Sequence, residues 1–234
     1  MVEIKNAFSE LNSIEIKPNE LAFFFYKISA IAIKTISYRF LIDSADYFML
    51  NDIKALEKLD LVLITHEHYD HFNKSKTIEI QGLTNAIVAC NLDAFNSLKD
   101  SIGKEKLILL EANRSQEIKG IKITSIKAIH PGKNPLMFFI EADGLTLFHG
   151  SDSGYTKDIE KHKKEVKVAF VPVGSPSPTA NVNDALKMVK ALNCKMAIPI
   201  HGTEDEMLEF KKQVNRELPN VEVIIAEPLK VYKV

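Results

Sequence analysis

The sequence has few cysteines and almost no net charge, and each shortage excludes a class of protein. Its two cysteines, Cys90 and Cys194, lack CxxC spacing, which argues against a disulfide framework and against a thiolate metal site. The 30 lysines and arginines nearly balance the 31 acids, so the overall charge does not attract nucleic acid or an anionic membrane. We therefore expect reduced, buried thiols. The overall charge disfavours nucleic acid as a partner but does not exclude it, since a local basic patch would not change the sum.

Long hydrophobic runs are also missing. The longest run, residues 21–33, contains Lys27 and is well short of the roughly 20 residues that a membrane-spanning helix needs. The first residues include acids and lack the apolar segment of a secretory signal. We expect a cytoplasmic protein without a membrane span.

Runs rich in β-branched and aromatic residues predict strands in both halves of the chain. The predicted strands cover 13–16, 21–28, 30–43, 59–65, 86–90 and 107–110, and then 121–130, 136–142, 145–150, 165–173, 195–200, 221–226 and 230–234. Helices are predicted over 52–59, 92–102 and 183–193, and a last helix begins at Thr203, where Thr203 and Glu206 form a T-x-x-E capping box.

Each half thus has several strands in succession and then alternating strands and helices, and no Gly/Ser/Pro linker separates the halves. This order predicts a single domain, residues 1–234, made of two similar halves. The apolar runs LVLI and VAFV need cover on both faces. The pattern therefore favours an α/β fold, an αββα sandwich of two mixed β-sheets with helices on the outer faces.

The stretch ITHEHYDHF, residues 64–72, holds three of the seven histidines. A strand that ends at Thr65 continues its alternation into His66 and His68, so both side chains point to one side and can bind one cation. Asp70 and His71 follow as the chain turns and can face a second cation. Imidazole nitrogen and carboxylate oxygen suit a divalent metal such as zinc. The helical motif H-E-x-x-H is absent, because Asp70 stands where its second histidine would be.

Four donors do not complete two metal centres, so further ligands must come from other strand ends. The sequence has three candidates. His130 ends the strand 121–130, Asp152 lies in HGSDSGY just after the strand 145–150, and His201 follows the strand 195–200.

The ordered set T-H-E-H-Y-D-H, I-H-P-G, G-S-D-S-G and I-P-I-H-G-T resembles the metallo-β-lactamase superfamily over about residues 30–204. Within it, the chain looks like the small stand-alone metal-dependent hydrolases related to ascorbate-phosphate lactonase and to the phospholipase D that cleaves N-acyl phosphatidylethanolamine. The resemblance implies two divalent metal ions, with zinc favoured and manganese or iron as alternatives. It implies that one ion is held by His66, His68 and His130, and the other by Asp70, His71 and His201. Asp152 would bridge them, and Asp43 would steady the histidine loop.

The sequence departs from such relatives at two places. His149 stands just before the G-S-D motif, where it either contacts substrate or packs beside the site. Residues 175–181, SPSPTAN, replace a Gly-rich or Thr-Met loop, which weakens any transfer of substrate by analogy. Tyr69, inside the histidine motif, likewise either contacts substrate or packs beside the site.

These features predict a metal-dependent hydrolase that uses a metal-bridging hydroxide on a small ester, lactone or phosphodiester, with catalytic roles for Asp70 and Asp152. A metal-dependent nuclease acting on RNA or DNA is the alternative, and the balanced charge disfavours it. A non-catalytic metal-bound sensor and a diiron redox module are less favoured, since the diiron module would carry Glu at the position of His68. The sequence leaves open whether the chain forms homo-oligomers.

Overall fold

The computed structural model describes residues 3–45, 52, 54–56, 58–162 and 164–234. The chain forms two compact units, the first comprising residues 1–111 and 227–234 and the second residues 112–226. Within the helix predicted over 52–59, residues 53 and 57 lie outside the described residues; residues 52 and 54 are helical and residues 55–56 form a turn. That the chain acts as a single domain stays a prediction.

The first unit contains a seven-stranded mixed sheet. Its strands are β1 (Ala22–Lys27), β2 (Ala30–Lys34), β3 (Arg39–Ile42), β4 (Leu61–Ile64), β5 (Ile87–Cys90), β6 (Leu107–Leu109) and β14 (Tyr232–Lys233). They lie in the order β14-β1-β2-β3-β4-β5-β6. The first three pairings are antiparallel and the last three are parallel. The carboxyl ends of β3 to β6 therefore meet at one edge of this sheet.

Helices α1 (Ile4–Ser13), α2 (Lys74–Thr84) and α3 (Leu92–Leu98) contribute to the core of the first unit. Helix α1 buries Ala7, Phe8 and Leu11, and the ring of Phe8 packs edge-on against Phe24 of β1 at 4.9 Å between centroids. The core also includes alternate residues of β1 to β5, which is the face that a strand period of two presents to one side.

The second unit contains another seven-stranded mixed sheet. Its strands are β7 (Arg114–Ile118), β8 (Ile121–Lys127), β9 (Leu136–Ala142), β10 (Leu145–His149), β11 (Val166–Pro172), β12 (Cys194–Ile200) and β13 (Glu222–Val223). They lie in the order β13-β12-β11-β10-β9-β8-β7. Strands β10 to β13 pair in parallel, and β7 to β10 pair antiparallel. Because β8 and β10 are both antiparallel to β9, the carboxyl ends of β8, β10, β11 and β12 share one edge.

Helices α4 (Val182–Leu192) and α5 (Glu204–Glu217) pack in the core of the second unit, together with the short 3₁₀ helix Lys157–Lys161. The predicted capping box is present: Thr203 accepts the N–H of Glu206, and the Glu206 carboxylate accepts the N–H of Thr203. Within the described part of the chain, every helix is too short or too polar to cross a bilayer.

Several elements differ from the sequence predictions. Strand β7, helix α1 and the short 3₁₀ helix were not predicted, and the strand predicted over 121–130 ends at Lys127, so His130 lies three residues beyond it. Residues 13–16 are not a strand, because α1 extends to Ser13 and the chain then leaves the helix. The predicted strand 30–43 is split into β2 and β3 by a turn in which the Thr35 N–H bonds to the Tyr38 carbonyl at 2.9 Å. Helix α2 was not predicted, because its β-branched residues and weak apolar stripe do not stand out as helical.

The core of the second unit generates a stability prediction. Phe210 on α5 is fully buried, whereas Leu208 on the same helix is 51% exposed. We expect Phe210→Ala to lower the free energy of unfolding by about 3–5 kcal/mol, because it leaves a cavity. The control, Leu208→Ala, should change it by less than about 0.5 kcal/mol. Urea unfolding followed by circular dichroism measures both, and equal losses in the two variants would contradict this packing.

Candidate metal centre

The histidine loop of the first unit begins where β4 ends at the carboxyl edge of its sheet. After Thr65 the chain turns tightly, and the N–H groups of His71 and Phe72 both bond to the carbonyl of His68, at 2.9 and 2.8 Å. Asn73 then caps α2 by accepting the N–H of Lys76. The turn between strand and capped helix brings His66, His68, Asp70 and His71 together in one loop.

The ligand atoms of this loop are close enough to share cations. Nε2 of His66 lies 3.0 Å from Nδ1 of His68, and Nε2 of His71 lies 3.8 Å from a carboxylate oxygen of Asp70. Two ligands of a tetrahedral zinc ion, each about 2.0–2.2 Å from it, are about 3.3–3.6 Å apart. The two observed separations bracket this value, so the loop geometry fits a metal.

Asp43, at the end of β3, is fully buried and is surrounded by donors. Its carboxylate accepts the N–H and the hydroxyl of Thr65 at 2.9 and 3.0 Å and the hydroxyl of Ser29 at 3.1 Å. It also lies 2.7 Å from Nδ1 of His71. A carboxylate only accepts, so Nδ1 of His71 donates, and Nε2 is the atom left to bind a metal.

Ser29 is a member of this site that the sequence analysis did not find. Its hydroxyl lies 2.9 Å from Nδ1 of His71 as well as against Asp43, and it is fully buried. It stands at the turn between β1 and β2, 42 residues before His71. No local motif marks it, and serine is common in turns.

The second unit brings His130, Asp152 and His201 together at the carboxyl edge of its own sheet. One carboxylate oxygen of Asp152 lies 2.9 Å from Nε2 of His201 and 3.7 Å from Nε2 of His130. The three side chains are nearly fully buried, with exposures of 1%, 4% and 1% for His130, Asp152 and His201. A buried carboxylate against two imidazoles is the donor set of a divalent cation.

Three residues at these strand ends have a left-handed backbone. The φ angles of Asp43, Ser151 and His201 are 58°, 53° and 49°, a conformation that costs non-glycine residues energy and is often found at functional sites. A hydrogen bond from the Gly174 N–H to the His201 carbonyl, at 2.8 Å, stabilises this backbone conformation at His201.

His149 and Tyr69, each predicted either to contact substrate or to pack beside the site, have different surroundings. His149 is fully buried, and its Nδ1 accepts the N–H of Ser151 at 3.2 Å, which favours packing beside the turn that leads to Asp152. Tyr69 is 86% exposed, so its ring is open to contact with a substrate. Glu67, beside it, accepts the side-chain amide of Asn91 at 3.1 Å.

Both cysteines are free and buried, as predicted. Burial raises the pKa of the Cys194 thiol to about 12, and burial also raises the pKa of Cys90. Thiols held in the neutral form are poor metal ligands. The donor set is therefore one of imidazoles and carboxylates, which fits zinc, manganese or iron.

Comparison with known proteins identifies the family. A family model described as the Beta-lactamase superfamily domain matches residues 23–201, a span that contains every predicted metal ligand. A protein of Methanopyrus kandleri named UPF0173 metal-dependent hydrolase is 29% identical over 192 residues, which are 74% of this chain and 82% of that protein.

Solved structures share the fold. Igni18, titled a novel metallo hydrolase from Ignicoccus hospitalis, matches with a TM-score of 0.78 and 22% identity, over 92% of this chain and 99% of that chain. A diphosphatase of the PhnP family matches with a TM-score of 0.64 and 14% identity, over 92% and 97% of the two chains. At these identities the structural matches show the fold alone, and they confirm the predicted class of two mixed β-sheets flanked by helices. The family is shown by the family model over residues 23–201. The chain therefore belongs to the metallo-β-lactamase superfamily and is a metal-dependent hydrolase.

Proposed function

We propose that this hydrolase cleaves a small ester, lactone or phosphodiester at a centre of two divalent metal ions, with zinc as the preferred metal. In this proposal the ligand set is the one that the family resemblance implies. One ion is held by His66, His68 and His130, the other by Asp70, His71 and His201, and Asp152 is shared.

The observation that supports this proposal best is the arrangement of Asp152. Its buried carboxylate lies against imidazole nitrogens of both His130 and His201, two residues that the resemblance assigns to different ions. One oxygen of this carboxylate lies within 4 Å of both imidazole nitrogens, which suits a ligand shared by two ions. The loop of the first unit adds the second paired set, His66 with His68 and Asp70 with His71.

Divalent ions bound here would supply electrophilic catalysis, lowering the pKa of a water toward about 7 and polarising the oxygen of the scissile group. The residues of the chain supply orientation and proton transfer. Asp43 holds His71 in the tautomer that leaves Nε2 to bind. In this proposal Asp70, with a side chain that is 11% exposed, accepts the proton that the attacking water loses. Tyr69 is the proposed substrate contact.

The charge balance of the chain and the name of a relative bear on the class of substrate. The near balance of 30 basic and 31 acidic residues supports a small substrate over a nucleic acid, because nucleic-acid binding relies on excess positive charge. A relative named metal-dependent hydrolase supports hydrolysis without naming a bond. Ester, lactone and phosphodiester cleavage all require attack by an activated water, which is why the proposal keeps these three.

The first test removes the shared carboxylate. We expect Asp152→Ala to lower hydrolysis of the best substrate by at least about 100-fold, more than the loss of an outer partner costs, and to reduce bound zinc. Wild-type protein is assayed on bis-p-nitrophenyl phosphate, a lactone series, a thioester and single-stranded RNA, with zinc measured by elemental analysis. Asp158→Ala is the matched control, since Asp158 lies in the same unit but pairs with Lys161.

Two outcomes contradict the proposal. Retention of activity and zinc in Asp152→Ala would remove the shared carboxylate from the mechanism. Cleavage of RNA alone, abolished by a chelator, would make the nuclease alternative the correct function.

The role of Asp43 is tested separately. Asn offers only one acceptor oxygen, so Asp43→Asn leaves His71, Thr65 and Ser29 competing for it. We expect zinc affinity to fall about 10- to 100-fold, as for other partners of metal-binding histidines. Asp60→Asn is the control, because the Asp60 carboxylate also accepts a backbone N–H, that of Arg39 at 2.9 Å. Competition with a chromophoric chelator measures both, and equal affinities in the two variants would show that Asp43 does not orient the ligand.

A further inference from the structure

The loop of residues 174–181 includes the stretch 175–181 that departs from related sequences, and it contacts each segment of the second unit that carries a proposed ligand. At its start, the Gly174 N–H bonds to the carbonyl of His201 at 2.8 Å. The Ser175 N–H bonds to the Glu206 carboxylate at 3.1 Å, the same carboxylate that caps α5. A Cβ at Gly174 would lie 2.2 Å from the Glu206 carboxylate, so a larger residue there would displace this side chain from its cap. The loop is therefore fixed to the turn that carries His201.

Further along the loop, two hydroxyls converge on Asp152. Ser177 Oγ and Thr179 Oγ1 each donate to the backbone carbonyl of Asp152 at 2.8 Å. A carbonyl oxygen has two lone pairs and accepts both. Ser177 Oγ also accepts the N–H of Ala180 at 3.2 Å, which holds its side chain in place. Both bonds fix the backbone of the proposed shared ligand, and neither uses an oxygen of its carboxylate.

Thr179 also contacts the third ligand. Its Oγ1 lies 3.2 Å from Nδ1 of His130, and the His130 side chain is only 1% exposed. A hydroxyl has one proton, and Thr179 directs it at the Asp152 carbonyl. Towards His130 it can therefore only accept, so Nδ1 of His130 carries the ring proton. In the neutral ring, Nε2, the atom that lies 3.7 Å from the Asp152 carboxylate, is then the unprotonated nitrogen that can bind a metal.

We propose that Thr179, supported by Ser177, is the positioning residue that sets the tautomer of His130 and the place of Asp152, and so sets the metal affinity of this half of the centre. The inference rests on the proposed metal centre. It assigns to the 174–181 loop a role in metal binding through two hydroxyls that do not themselves touch the metal.

The experiment compares three variants with wild type. Thr179→Val keeps the shape and removes the hydroxyl, Thr179→Ser keeps the hydroxyl, and Ser177→Ala removes one of the two bonds to Asp152. The matched control is Thr124→Val, which removes a buried hydroxyl of the same unit that bonds to Ser115 at 2.7 Å. Zinc affinity is measured by chelator competition, and the ring nitrogens of histidine are observed by ¹⁵N NMR in the metal-free protein.

We expect Thr179→Val to weaken zinc binding about 10- to 100-fold and to reduce the Nδ1–H form of His130 in the metal-free protein. Thr179→Ser should keep both properties within about threefold of wild type, and Ser177→Ala should lose about fivefold, as expected for one hydrogen bond. Thr124→Val should bind zinc as wild type does. Melting curves of the metal-free proteins identify any variant that does not fold, in which case Ser177→Ala and Thr179→Ser carry the test.

Several results would overturn the inference. One is a Thr179→Val protein with the zinc affinity and the His130 tautomer of wild type. Another is a loss of zinc affinity in Thr179→Ser or in Thr124→Val that equals the loss in Thr179→Val. If wild-type protein itself binds no zinc, the proposed metal centre fails. The tautomer of His130 still tests the hydrogen bond from Thr179 in that case, because it is read without metal.

Discussion

A buried carboxylate must be surrounded by hydrogen-bond donors, and this constraint shapes the candidate centre in both units. Removing an ionised group from water costs several kcal/mol unless donors replace the lost hydration. Asp43 meets this requirement with Thr65, Ser29 and His71. The donors that satisfy it are also the groups that orient the histidine loop, so the requirement of burial and the requirement of metal binding are met by the same contacts.

Asp152 meets the constraint in another way. Its carboxylate faces the imidazoles of His130 and His201, while the hydroxyls of Ser177 and Thr179 hold its backbone carbonyl. The loop thus fixes the main chain of Asp152 through its carbonyl, and these two bonds do not involve the carboxylate. Parallel strands make this possible, because their carboxyl ends present successive loops at one edge of a sheet. The left-handed backbone occurs at Ser151, directly before Asp152, and at His201 itself.

The sequence predicted the elements whose signal is local. Runs such as LVLI and VAFV are recognisable because a buried strand needs apolar residues on both faces, and the capping box at Thr203 is recognisable because its two partners are three residues apart. The histidine motif is recognisable for the same reason, since four donors occur within six positions. Strand β7 was not predicted, because its sequence, RSQEI, is polar and mostly exposed and so lacks the apolar alternation that indicates a strand. Helix α1 does carry an apolar stripe, Ile4, Ala7, Phe8 and Leu11, which a search for helical spacing at the start of the chain would have found.

Asp43 was predicted from the family resemblance, but two other partners of the proposed ligands, Ser29 and Thr179, could not be predicted from a local signal. Ser29 is 42 residues from His71, and Thr179 is 49 residues from His130. Serine and threonine occur throughout the chain, so residue type alone does not distinguish these from the rest. Only the fold brings them to the histidines. The proposed ligands can therefore be recognised from residue type and spacing, whereas the hydroxyl groups of Ser29 and Thr179 are recognised only once the fold is known.

Anomalous X-ray scattering at the zinc edge, from crystals grown with zinc, tests the central claim most directly. The account predicts two peaks about 3.5–4 Å apart, one bound by His66, His68 and His130 and the other by Asp70, His71 and His201, with Asp152 bound to both. Peaks at other side chains, or a zinc-saturated crystal without a peak at Asp152, would contradict it.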